Sequence, residues 1–286
     1  MYNFYMKKLL FALIILTQIV NPCFAWNFFA HNNEEKAVEK LLKQQVRYAN
    51  RENFDKFINT YAVNYLNADG LTLEDYSNLV KDIWETFDKI KYDIDIKNIS
   101  ISDGIATVDV IESSYADLQM SKAYDGELKS ISNSIYYLEK INGKWKVVSD
   151  SVLEESTSML YGQAKDLDIK LTVPNNIEPN KVYTATLEFI PPKETIAIAS
   201  IASDIVEYPQ KPTQEVFRAL PEDNILERLF TSNNQNANEY IIASIGLTKT
   251  DVCDLSIKLN LTGFGYAIKR VNVIPSKTGD NNDKKE

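Results

Sequence analysis

Ile101-Ser-Asp-Gly-Ile-Ala-Thr-Val-Asp-Val110 and Tyr137-Leu-Glu-Lys-Ile-Asn-Gly-Lys-Trp-Lys-Val-Val148 decide how this chain reads. Each stretch sets alternating apolar residues on both sides of a two-residue turn, Asp103-Gly104 or Asn142-Gly143. Asp-Gly and Asn-Gly supply the two successive positive φ angles of a tight hairpin, whose twist matches that of the flanking strands. Working outward, Tyr92, Ile94 and Ile96 alternate with Asp93 and Asp95, which predicts a strand with one wet face. Ile99 and Ile101 fall out of phase with them, so a bulge is expected near Lys97-Asn98. Ala106, Val108 and Val110 continue toward Leu118, a further strand runs through Ile131, Ile135 and Tyr137, and Trp145, Val147 and Val152 mark the last. Tyr92 to Val152 is thus an antiparallel meander.

Three amphipathic helices are predicted before it. Val38, Leu41, Leu42, Val46 and Ala49 repeat at helical period within Glu34–Ala49. Phe54, Phe57, Ile58, Tyr61 and Tyr65 suggest a second helix with Asn53 as N-cap, broken by Asn67-Ala68-Asp69-Gly70. Thr72-x-x-Asp75 resembles a capping box with a shorter acid and opens a third, whose stripe is Tyr76, Leu79, Val80, Ile83, Trp84 and Phe87.

Three helices followed by these two hairpins resemble the nuclear transport factor 2-like superfamily, which includes SnoaL-like cyclases and ketosteroid isomerases. The resemblance covers about Glu34 to Glu155 and rests on strands and turns, which report fold rather than function. It implies an α+β cystatin-like cone, three helices packed in a curved antiparallel sheet, with a pocket at the mouth. Tyr48, Tyr61, Trp84, Tyr136 and Trp145 are candidates to line it. The isomerases of that family use an Asp base with a Tyr and a protonated Asp as oxyanion donors. Carried onto this sequence, the Tyr falls near Gln45, the base near Asp69 and the strand acid near Ile135. Two of the three roles are empty, and Asp69 is the one catalytic candidate. Asp before Gly is common in turns for its own backbone hydrogen bond, so Asp69→Ala is expected to leave folding intact. Asp93 and Asp95 share a strand face, but two carboxylates without further ligands make no metal site.

After residue 158 the pattern changes. Leu167, Ile169, Leu171 and Val173 alternate; Val182–Ile190, Thr195–Val206, Glu239–Leu247, Asp254–Thr262 and Tyr266–Ile274 read as strands between Pro and Asn turns. Pro221–Phe230 reads as a short helix, with Pro in its first turn and acids after it. Short strands with such punctuation predict a second domain over 159–275, an all-β sandwich that resembles an immunoglobulin-like domain. The first domain is expected over 26–158, and 276–286 is expected to be a disordered tail.

Residues 1–25 read as a signal peptide. A basic start at Lys7-Lys8 is followed by an apolar run from Leu9 to Val20, and Cys23 and Ala25 fit a small-x-small cleavage site. The alternative is a retained membrane anchor. Either way the folded part is expected to be exported, periplasmic or extracellular. The formal charge of -9 offers nucleic acid no long-range attraction. The sole histidine, His31, lies in a polar flank, and cleavage would leave Cys253 as the one cysteine, which weakens His-based metal sites and nucleophilic triads. No metal and no cofactor are expected.

The leading expectation is an exported envelope protein acting as a non-enzymatic binding or adaptor module, its partner a small apolar ligand or an envelope protein. The alternatives are a small-molecule isomerase or cyclase using the cone pocket, and a structural protein that forms a homodimer through the sheet. An enzyme would carry a carboxylate buried in an apolar pocket with a raised pKa. A binding module would carry an apolar surface patch or an open strand edge.

Overall fold

The computed structural model describes residues 22–275 other than 88, 122–123, 212–213 and 254–255, with side chains from 33 on other than those of 121, 252–253 and 256–257. Most of the leader, the His31 and Cys253 side chains and the tail 276–286 lie outside these. Among the described residues no helix is long and apolar enough to cross a membrane.

Among the described residues three α-helices are present: α1 (Pro22–Ala49), α2 (Phe54–Ile58) and α3 (Leu73–Thr86). The capping box forms as read, with Thr72 Oγ1 accepting from Asp75 N and the Asp75 carboxylate accepting from Thr72 N. The second helix is far shorter than its apolar spacing predicts. Thr60 Oγ1 donates to Phe57 O at 2.6 Å, after which Ala62 N donates to Val147 O at 2.8 Å and Val147 N to Thr60 O at 3.0 Å. Pairing with a strand wins over helix continuation, so Tyr61 and Tyr65 ride an irregular segment beside the sheet.

Among the described residues twelve strands follow: β1 (Lys91–Ser102), β2 (Ile105–Ser121), β3 (Tyr124–Ile141), β4 (Lys144–Gly162), β5 (Lys170–Thr172), β6 (Asn176–Ile177), β7 (Val182–Glu188), β8 (Ile196–Ile205), β9 (Arg218–Ala219), β10 (Ile225–Thr231), β11 (Glu239–Cys253) and β12 (Ser256–Val273). The hairpin turns sit where the sequence puts them, with φ of 52° and 80° at Asp103-Gly104 and 50° and 76° at Asn142-Gly143. The expected bulge appears as a register shift between Ile96 and Asn98.

The architecture is not a helix-packed cone beside a separate sandwich. It is mostly β, and its main sheet runs β1-β2-β3-β4-β12-β11-β8-β9 without a break, with β6 joined to β12. The reason is β4. It continues past Val152 to Gly162, and its far edge pairs with β12 from Ser156↔Lys269 to Gly162↔Gly263. Glycines make the seam possible: a Cβ on Gly265 would stand 2.5 Å from Met159 O, and one on Gly263 2.5 Å from Ala164 N. Phe264 stacks on its register partner Tyr161 with centroids 4.8 Å apart. The polar stretch after Glu154 is therefore strand followed by a single 3-10 turn, Gln163–Asp166.

Pro221–Phe230 is likewise not a helix. Ile225–Thr231 pairs antiparallel with β7, turning Leu226 and Phe230 toward the core and leaving Leu229 exposed. It completes a three-stranded sheet, β10-β7-β5. That small sheet packs through Leu171, Leu187 and Phe189 onto Ile201, Ile241 and Val271 of the main one. A second core joins Val38 and Leu42 of α1 to Val108, Leu138 and Val147 across β2, β3 and β4.

Candidate functional site

Alternation decides which side chains face the helices. On β2 the inward set is Ala106, Val108, Val110 and then Glu112; on β3 it is Leu138, Tyr136, Ser134, Ser132 and Ser130. On β4 the inward set begins at Trp145 and Val147, but the strand carries two extra residues. The register jumps from Leu138↔Val147 to Tyr137↔Ser149, and from Ser134↔Val152 to Asn133↔Glu154. Each bulge shifts the phase by one, so the inward positions become Asp150 and Val152, then Glu155. Two acids that simple alternation would scatter between faces thereby reach one cavity.

That cavity has a volume of about 340 Å³, at the small end of ligand pockets. Its helical wall is apolar: Phe57, Leu79, Val80, Ile83 and Trp84. Its sheet wall is polar and carries Glu112, Asp150 and Glu155, with Asp69, Tyr240 and Arg270 near the seam. Each of the three strand acids accepts a tyrosine hydroxyl. Tyr136 Oη donates to Glu112 Oε1 at 2.7 Å, Tyr240 Oη to Glu155 Oε2 at 3.0 Å, and Tyr65 Oη to Asp150 Oδ1. Burial pushes Asp150 up to about 6, against the pull of the Tyr65 hydrogen bond and with a further push from the Glu112 charge. Burial also raises Glu112 and Glu155, in each case against the stabilising tyrosine bond. Neutral phenol dominates throughout, because burial drives Tyr61, Tyr65, Tyr76 and Tyr136 upward as well.

Asp69 lines the cavity but is fully engaged. Its carboxylate takes Arg270 Nη1 at 3.0 Å, Arg270 Nη2 at 2.5 Å and Asn238 Nδ2 at 2.7 Å. The ion-paired side chains are 7% and 1% exposed for Asp69 and Arg270. Arg270 Nε donates onward to Asn272 Oδ1 at 2.7 Å, and Asn272 Nδ2 to Leu153 O at 2.7 Å. This chain of bonds ties the turn before α3 to β12 and to the second bulge of β4. Both carboxylate oxygens of Asp69 are thus committed to Arg270 and Asn238.

Of the aromatic candidates, Tyr61, Trp84 and Tyr136 line the cavity. Tyr48 packs on the second core, and buried Trp145 donates Nε1 to Glu34 Oε2 at 2.8 Å, both away from the cavity lining. Gln45 fills the helix position with a buried amide that donates to Thr60 Oγ1 at 3.0 Å. Among the described residues no group of three or more His, Cys, Asp or Glu is placed to hold a metal; Asp95 pairs with Lys97 on the surface. The sequence reading missed Glu112, Asp150, Glu155, Tyr240 and Arg270. Glu112 could have been found, since it continues the apolar even-numbered stripe of β2.

No family model matches the chain, and no curated protein matches it. Among solved structures, Bd1075 of Bdellovibrio bacteriovorus is 10% identical over 43% of this chain and 41% of its own, with a TM-score of 0.37. Thus the chain spans under half the length of that relative. Kfla4162 of Kribbella flavida is 12% identical over 43% of this chain and 90% of its own, with a TM-score of 0.39. ActVI-ORFA of Streptomyces coelicolor is 14% identical over 42% and 93%, with a TM-score of 0.32. The last two are of the SnoaL and nuclear transport factor 2-like type. At these scores the likeness carries no argument about activity.

Proposed function

We propose that this chain is an enzyme of proton transfer, shifting a proton within a small, largely apolar molecule as isomerases and cyclases do. One observation supports it above the rest: Glu112, Asp150 and Glu155 face a single cavity, each raised by burial and each holding a tyrosine hydroxyl. The adaptor reading rested in part on the lack of an acid–base set, and this set removes that part of its support. Perturbed carboxylates in a cleft are the signature of acid–base work.

In this reading Asp150 is the general base. At about 6 it is mostly ionised at neutral pH, yet near enough to neutrality to take a proton and return it. Tyr136 stands between the acids: it bonds Glu112 and is the cross-strand partner of Asp150. The Glu112 charge adds to the upward push on Asp150, and the Tyr136 hydroxyl is the hydrogen-bond donor beside it. The apolar helical wall holds the skeleton of the substrate against them. The Glu34–Glu155 portion is read as related to SnoaL-like proteins on its hairpin motifs, and export is inferred from the composition of Met1–Ala25.

The test is deuterium incorporation from D₂O, followed by mass spectrometry, across a panel of small ketones with apolar skeletons. Asp150→Asn is expected to lower the exchange of any accepted compound by ~10²–10⁴-fold, the range of general acid–base catalysis. Exchange that proceeds in the wild type and survives unchanged in Asp150→Asn would defeat the assignment.

A further inference from the structure

The cavity is electrically lopsided. Five acids line it, Asp69, Asp93, Glu112, Asp150 and Glu155, and among the lining residues Arg270 is the one cation. Arg270 is spent on Asp69. The strand acids are held directly by tyrosine hydroxyls, which stabilise a carboxylate without neutralising it, and Arg270 acts on Asp150 and Glu155 only through its field, less strongly than burial opposes it. Ser134, 2% exposed on the inward face of β3 between Ser132 and Tyr136, adds one more neutral hydroxyl beside Glu112 and no counter-charge. The walls around this charge are aromatic, among them Phe57, Tyr61, Tyr76, Trp84 and Tyr136.

Uncompensated buried carboxylates are costly, and a folded chain keeps them where something of opposite charge arrives. Aromatic faces attract organic cations through the ring quadrupole. A hard, hydrated ion would gain nothing from Leu79, Val80 and Ile83, which demand an apolar body. The overall charge of -9 also favours approach of cations.

We infer that the cavity selects an organic ammonium ion, an amine or quaternary amine on an apolar skeleton, with Glu112, Asp150 and Glu155 facing its charge. The inference rests on the proton-transfer reading of the same cavity and specifies its substrate class. Bound there, the ammonium group replaces the missing counter-charge, and the aromatic and aliphatic wall covers the rest of the ligand.

Benzyltrimethylammonium and its uncharged carbon isostere, neopentylbenzene, separate charge from shape. Titrated into the full chain and followed by ligand-observed NMR, the cation is expected to bind at least ~10-fold more tightly, a step of about 1.4 kcal/mol. Glu112→Gln and Asp150→Asn, each checked for an intact melting transition, are expected to cut that preference to below about threefold. Equal or tighter binding of the isostere, no saturable binding of either probe, or a preference untouched by both substitutions would overturn the inference. The two readings fail separately. Cation preference without ketone exchange removes catalysis alone, and exchange without cation preference removes the ammonium substrate alone.

Discussion

Replacing Asp150 by Asn should make the protein more stable at neutral pH and not at acid pH. The folded-state value of about 6 lies above the ordinary 3.8. Each unit of displacement is worth about 1.36 kcal/mol, so ionised Asp150 costs the native state up to ~3 kcal/mol once the pH exceeds 6. The sign follows from proton counts. Between 3.8 and 6 the folded chain binds more protons at this site than the unfolded chain, so stability falls as pH rises through that window. Asn keeps an acceptor for the Tyr65 hydroxyl and cannot ionise. Because the side chain is only partly buried, screening brings the expected gain at pH 7.5 to ~1–3 kcal/mol. At pH 4 it should shrink to under about 1 kcal/mol. Urea denaturation of wild type and variant at both pH values measures the difference directly, since the other acids cancel. A variant destabilised equally at pH 4 and pH 7.5 would refute the burial argument.

Two further outcomes are expected. Asp69→Ala should destabilise by ~3–5 kcal/mol in the same denaturation assay, because it strands Arg270 without its partner; this reverses the expectation that the sequence alone supports. Gly265→Ala should lower stability by ~1–3 kcal/mol in a thermal melt, since the new methyl meets the backbone of β4.

How much was legible follows from which signals are local. The turns at Gly104 and Gly143, the Thr72–Asp75 cap and the bulge after Ile96 were all readable, because each is written within a few neighbouring residues. The route of β4 was not. Its bulges at Val148 and Leu153 are set by pairing with β3, and only they put Asp150 on the inward face that Glu155 shares. Arg270 was invisible for a related reason: its partner Asp69 lies far away in sequence, and register across the seam joins them. The helix read at Pro221–Phe230 failed because pairing with β7 overrides a short apolar pattern that suits either period.

The unbroken passage from β4 to β12 also governs how this molecule can be divided. Severing the chain after Gly162 would bare the long margin of β4 from Ser156 onward and strip the chamber of Tyr240 and Arg270 in one stroke. Neither fragment would keep a complete site, and the bared margin is a template for sticking to other chains.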